Sequence, residues 1–140
     1  MNTTNQSPSV ASAIGRLLMA TIFVFSGFGK LLAPAMTIGY IESSGLPFAS
    51  AGLVIAIAIE VGGGSMLAFG IKTRWVAATL ALFSLVTGLV FHGAIGDQNQ
   101  LIHLLKNVAI AGGLLQVVAF GAGAYSIDNA AARKTGRQPA

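Results

Sequence analysis

Apolar residues fill this chain in four long stretches, 11–32, 47–70, 74–95 and 101–121, separated by short polar breaks. Each approaches the ~20 residues that an α-helix needs to cross hydrocarbon. The pattern predicts an all-α, integral membrane four-helix bundle. The first stretch is the weakest, since its charge-free part covers only Leu17 to Gly29. A stretch that short also fits the core of a signal peptide. Residues 1–15 carry no Lys or Arg, however, and Lys30 sits where a cleavage region would begin, so we expect four spans and no cleaved signal. A soluble bundle would need a polar face on each helix, and none of the four has one. The expected division is a polar segment at 1–10, a membrane domain at 11–125 and a basic, solvated tail at 126–140. Within the domain lie a Pro- and Gly-containing loop at 33–47, a tight turn at Lys72–Arg74 and a polar loop at 96–100. The stretches RLLMATIFVFS (16–26) and RWVAATLALFS (74–84) echo each other, as a duplicated helical hairpin would; the second and fourth spans do not.

Charge adds direction. Only 9% of the 140 residues are charged and 54% are hydrophobic, against about 25% charged in soluble domains. Four spans put the N-terminus, the 70–75 turn and the C-terminus on one side. That side collects Lys72, Arg74, Arg133, Lys134 and Arg137, with Arg16 nearby, while the other offers Lys30 offset by Glu42 and Asp97. Positive charge favours the cytoplasm, which predicts an N-in/C-in topology with Trp75 as an interface anchor. The net charge of +4 is thereby a topology signal. A nucleic-acid partner is not expected, because the basic tail is short and lacks interleaved aromatics. The absence of cysteine excludes disulfides, iron–sulfur ligation and thiol chemistry by this chain.

One residue stands against the pattern. Glu60 lies inside VIAIAIEVGGGSMLAF (54–69), and a carboxylate at mid-membrane should face the bundle interior and be paired. Ala56, Gly63, Gly64 and Leu67 share its helix face, a surface suited to close packing. Ala77, Ala81, Ser84, Gly88 and His92 form a similar stripe, as do Arg16, Phe23, Gly27 and Lys30. Counting 1.5 Å per residue puts Glu60 about 15 Å from the side of the termini and Arg16 about 8 Å. The expected intramembrane ion pair is Glu60–Arg16, as a structural clamp or as a proton or ligand site. By the same count Lys30, His92 and Lys106 fall within about 8 Å of the opposite face. With His103, Asn107 and Asp97 they form a candidate outer polar pocket. Lys30 alone also reads as a snorkelling helix-end lysine, and Lys106 needs an acceptor or water. GFGK at 27–30 is no phosphate loop, since Leu31 follows the lysine and no strand precedes it. His92 and His103 lack a third ligand, so no metal site is expected. The run Gly62–Gly64 reads as helix packing with a local bend.

The ordered set GRLLMATIFVFSGFGKL, IEVGGGSMLAFGIKTRWVA, FHGAIGDQNQ, LLKNVAIAGGLL and FGAGAYSID resembles the DoxX family from about Gly15 to Asp128. That resemblance implies a small four-helix protein of the bacterial inner membrane. It also implies kinship with the membrane subunit of a thiosulfate:quinone oxidoreductase, and with members that associate with oxidative-stress enzymes. No catalytic residues carry over. Three functions stay open. The first is a membrane subunit of a redox assembly, with a redox enzyme as partner and a quinone held in an inward pocket; the chain itself is not expected to bind a resident cofactor. The second is a small-molecule carrier or exporter with Glu60 as its protonatable site. The third is a structural membrane anchor for cytoplasmic enzymes.

Overall fold

The computed structural model describes residues 10–136; the polar segment preceding Val10, and Arg137, lie outside the described residues. The first span is Val10–Leu32, and it breaks at Ala33 before a short helix, Pro34–Ser43, whose proline occupies the first turn where no amide hydrogen is needed. The second span, Ala49–Phe69, contains a π-helical turn at Ala58–Gly63. Gly70, with φ at 70°, closes it in the left-handed conformation. The third span is Thr73–His92 and the fourth Gln98–Phe120. Asp97 caps the fourth by accepting from the Gln100 amide at 2.9 Å. All four are long and apolar enough to cross a membrane.

The bundle interior mixes alanines with a few large side chains, and many large apolar residues face outward. Its core consists of Ala20, Phe23, Leu67, Ala77, Leu80, Ala81, Ala111 and Leu114, while Phe25, Leu32 and Phe120 point outward. Lipid solvates a leucine as well as a protein core does, so helices here associate through close packing of small residues. The expected stripes are the inward faces: Arg16, Phe23 and Gly27; Ala56, Gly64 and Leu67; Ala77, Ala81, Ser84 and Gly88 are all buried. The third span is the most enclosed and the fourth the least.

The segment read as a solvated tail is folded. Ser126 accepts from the Asn129 amide and starts a terminal helix, Ile127–Lys134. This helix docks on the ends of the spans. Lys72, the residue preceding the third span, has φ at 45° and offers no side-chain cap of its own. Asp128 supplies the cap from outside: its carboxylate accepts from the Lys72 amide (2.8 Å), the Thr73 amide (2.8 Å) and the Thr73 hydroxyl (2.7 Å). A carboxylate there also complements the positive end of the helix dipole. The Asp128 amide in turn donates to the Gly70 carbonyl at 2.9 Å.

This latch predicts a pH-dependent stability. Partial burial raises the Asp128 pKa, but the Thr73 and Lys72 hydrogen bonds and the Arg16 charge outweigh it and hold the carboxyl below its ordinary 3.8. A depressed carboxyl stabilises the fold above its unfolded pKa and loses that contribution as pH falls through the folded value. Asp128→Ala should cost about 1 kcal/mol at neutral pH, the usual worth of a helix cap. Thermal unfolding in detergent should show the gap between wild type and variant narrowing below about pH 4. A gap that holds constant into acid would contradict the latch.

Candidate functional site

Glu60 sits within the π-helical turn, and the glycines on either side of it decide its partner. A Cβ on Gly27 would lie 2.6 Å from Val61 Cγ2 and 3.1 Å from Glu60 Cβ; one on Gly64 would lie 2.9 Å from Val24 Cγ2. Spans one and two therefore touch backbone to side chain at two levels, and even alanine would overpack them. A π turn inserts one extra residue into a helical repeat. Where packing with a local bend was expected from Gly62–Gly64, the structure has this wider turn, with Glu60 buried on the inner face.

The expected Glu60–Arg16 pair does not form. Lys30 is the partner: its Nζ lies 2.9 Å from Glu60 Oε1 and 2.8 Å from Oε2. Ser26 completes a triangle, donating its hydroxyl to Glu60 Oε1 at 3.1 Å and accepting from Lys30 Nζ at 2.8 Å. Ser26 and Lys30 are one helical turn apart, on the same face, and bracket the Gly27 contact. The side chains are 24% exposed for Lys30 and 7% for Glu60, so the lysine is drawn inward and does not snorkel. Oε2 has no hydrogen-bond donor of its own, only the nearby ammonium.

The pairing expectation failed on register. It counted depth from the end of each apolar stretch on the side of the termini, residue 11 for span one and residue 70 for span two. Packing instead sets Gly27 against Val61, Gly64 against Phe23 and Val24, and Gly70 against the Arg16 guanidinium. Arg16 is thus level with the end of span two, about ten residues or 15 Å from Glu60. There its guanidinium donates to the carbonyls of Ala122, Tyr125 and Ala68. It fastens the chain after span four to the ends of spans one and two.

Above the Ser26–Lys30–Glu60 triangle opens a cavity of about 740 Å³, in the half of the bundle away from the termini. Its wall is mostly apolar, with Phe23, Ile41, Phe83 and Val90 among its members, and Tyr40 of the short helix stacks on Phe91 of span three at 5.2 Å between centroids. Polar groups enter at few points: the triangle, Thr37, Ser84, Thr87, Asn107 and His92. Of the expected outer pocket, the structure brings together Lys30, His92 and Asn107 around one cavity and adds Glu60 to them. Asn107 donates to the His103 carbonyl at 3.0 Å. His103 stacks on His92 at 4.8 Å without lining the cavity. Lys106 is excluded: it faces outward from span four, one turn from the His103 position. Asp97 is the helix cap described above. Among the described residues no three His, Cys, Asp or Glu side chains are grouped as metal ligands. Sequence reasoning missed Ser26 and Tyr40; the i, i+4 placement of Ser26 and Lys30 around a glycine was the available signal for the first.

The two candidate pairs make opposite predictions in a double-mutant cycle. Leaving either member of a buried pair alone costs about 3–5 kcal/mol, and the partial exposure of Lys30 favours the lower end. Glu60→Gln and Lys30→Met should each lower the melting temperature in detergent, with the double variant recovering part of the loss. Glu60→Gln and Arg16→Gln should instead be additive, as expected for sites about 15 Å apart. Coupling in the second cycle, and none in the first, would reject the geometry.

Comparison with known proteins agrees with this architecture. Residues 11–93 match the DoxX family model. The chain is 38% identical over 119 residues to "Inner membrane protein YqjF" of Escherichia coli K12, covering 85% of this chain and 90% of that protein. It is 31% identical over 122 residues to "Inner membrane protein YphA" of the same organism, covering 82% and 86%. No solved structure matches. With four membrane-length helices and relatives of this kind, the chain belongs to the DoxX family and is an integral, multi-pass inner-membrane protein.

Proposed function

We propose that the protein is the membrane subunit of a redox assembly and that its cavity holds the ring of a quinone. The observation that carries this is the Ser26–Lys30–Glu60 triangle at the floor of a large, otherwise apolar cavity. Glu60 already neutralises Lys30, so an anionic ligand would bring a second negative charge beside the carboxylate. A neutral ligand with a carbonyl oxygen meets no such repulsion and can accept from Lys30 Nζ or from the Ser26 hydroxyl. The aromatic and aliphatic wall suits a planar ring with a hydrocarbon substituent. The chain offers no electron-carrying ligand set among its described residues, so electrons would be exchanged with a redox partner. The family resemblance to a quinone-linked oxidoreductase subunit supports the same reading.

The topology belongs to this proposal. With Lys72, Arg74, Arg133 and Lys134 at the end that carries the termini, the positive-inside rule places that end in the cytoplasm. The cavity then lies in the outer half of the membrane.

Decylubiquinone serves as the probe. Wild-type protein in nanodiscs should bind it saturably, and Glu60→Gln and Lys30→Met should each weaken binding at least tenfold, about 1.4 kcal/mol. The carrier reading predicts solute flux in proteoliposomes that Glu60→Gln abolishes, with no saturable quinone site. The anchor reading predicts that the triangle variants keep full function while removal of residues 126–140 loses it.

A further inference from the structure

The chain has two histidines, and the fold sets them face to face. His92 ends span three and His103 lies in the second turn of span four. Their rings stack at 4.8 Å between centroids and 22° between planes. Only His92 lines the cavity; His103 stands on the other side of it. The pair thus bridges from the cavity to the surface at the end of the bundle away from the termini. His92 Nδ1 is 2.8 Å from Gln100 Oε1. With the amide oxygen as acceptor, Nδ1 carries a hydrogen and Nε2 is the free base.

The surrounding charges limit what this pair can hold. Lys106 follows His103 by three residues on the same helix, and stacked imidazolium rings repel each other, so one added proton disfavours a second. Asp97 is engaged in capping span four through the Gln100 amide. Inside the cavity the titratable groups are Lys30 and Glu60, which are paired, and Tyr40, whose ring stacks on Phe91. The histidine pair is therefore a site for one exchangeable proton.

We infer that His92 and His103 are the proton relay of the cavity. This inference rests on the quinone reading of the same site. Reduction of a quinone to its quinol takes two electrons and two protons, one proton onto each ring oxygen. The redox partner supplies the electrons, and the mostly apolar wall gives the protons few ways in. His103 accepts a proton from water at the end away from the termini and, because face-stacked rings share no N–H···N hydrogen bond, hands it through a water at the ring edges to the free Nε2 of His92. His92 gives it up into the cavity and is reprotonated for the second. Oxidation of the quinol runs the same steps backwards and releases both protons at that end.

The test uses full-length protein in liposomes with decylubiquinone bound, a ruthenium photosensitiser with a sacrificial amine as electron donor, and a pH-indicating dye confined to one side. A C-terminal tag reports orientation. Proton uptake after the flash should come from the side opposite the tag. His92→Phe, His103→Phe and His92→Gln should each slow it at least tenfold, and His103→Phe, which lies outside the cavity, should leave probe binding unchanged. Glutamine keeps a hydrogen-bonding side chain but cannot carry the proton, so it separates relay from packing. Added imidazole should restore the rate in the His92 variants. Uptake at the wild-type rate in all three variants, or uptake from the tagged side, would overturn the relay and leave the quinone reading standing. Absence of saturable probe binding in the wild type would overturn both.

Discussion

Everything in the membrane half of this protein depends on how closely spans one and two approach. Gly27 and Gly64 remove side chains from both helices at successive contacts, and the π turn between Ala58 and Gly63 fits into the resulting groove. Close contact here does two things at once. It provides the van der Waals packing that must replace the hydrophobic effect in lipid. It also brings Glu60 within reach of Ser26 and Lys30, so that a carboxylate at mid-membrane has three hydrogen-bonding or ionic contacts with no water required. A wider crossing would weaken the packing and strand the charge together.

Much of this was legible in the sequence. The four spans, the inward stripes of small residues and the burial of Glu60 all follow from hydropathy and a period of 3.6 residues. The partner of Glu60 did not follow, for a physical reason. Helical rise fixes the depth of a residue along its own helix, but the offset between two helices is set by where their small residues interlock. Only the contacts of Gly27 with Val61 and of Gly64 with Val24 define that offset, and they move Arg16 about 8 Å away from the depth that simple counting gives it. The terminal helix was obscured for a different reason. SIDNAAARK has the composition of a solvated tail, and its docking depends on Asp128 meeting the uncapped start of a distant helix, a pairing that no local pattern encodes.

The two ends of the bundle are held by different kinds of interaction. At the end with the termini, Arg16 donates to the backbone carbonyls of Ala122, Tyr125 and Ala68, and Asp128 accepts from backbone amides. Such contacts satisfy groups left over at helix ends and at the segments joining them. They fix the ends of all four spans to one another and leave the charges no freedom. At the other end the charged and polar groups bind each other, as side chain to side chain, around a cavity.

That difference bears on which end can do chemistry. A guanidinium committed to carbonyls cannot exchange a proton or turn toward a ligand without unfastening the chain. The ammonium of Lys30 can shift from carboxylate or hydroxyl to a ligand oxygen and back, because Ser26 and Glu60 remain bonded to each other when it leaves. The fold places its rigid fastening where the chain enters and leaves, and its adjustable polar groups beside a large cavity. Tying the spans at one end is what lets them part at the other.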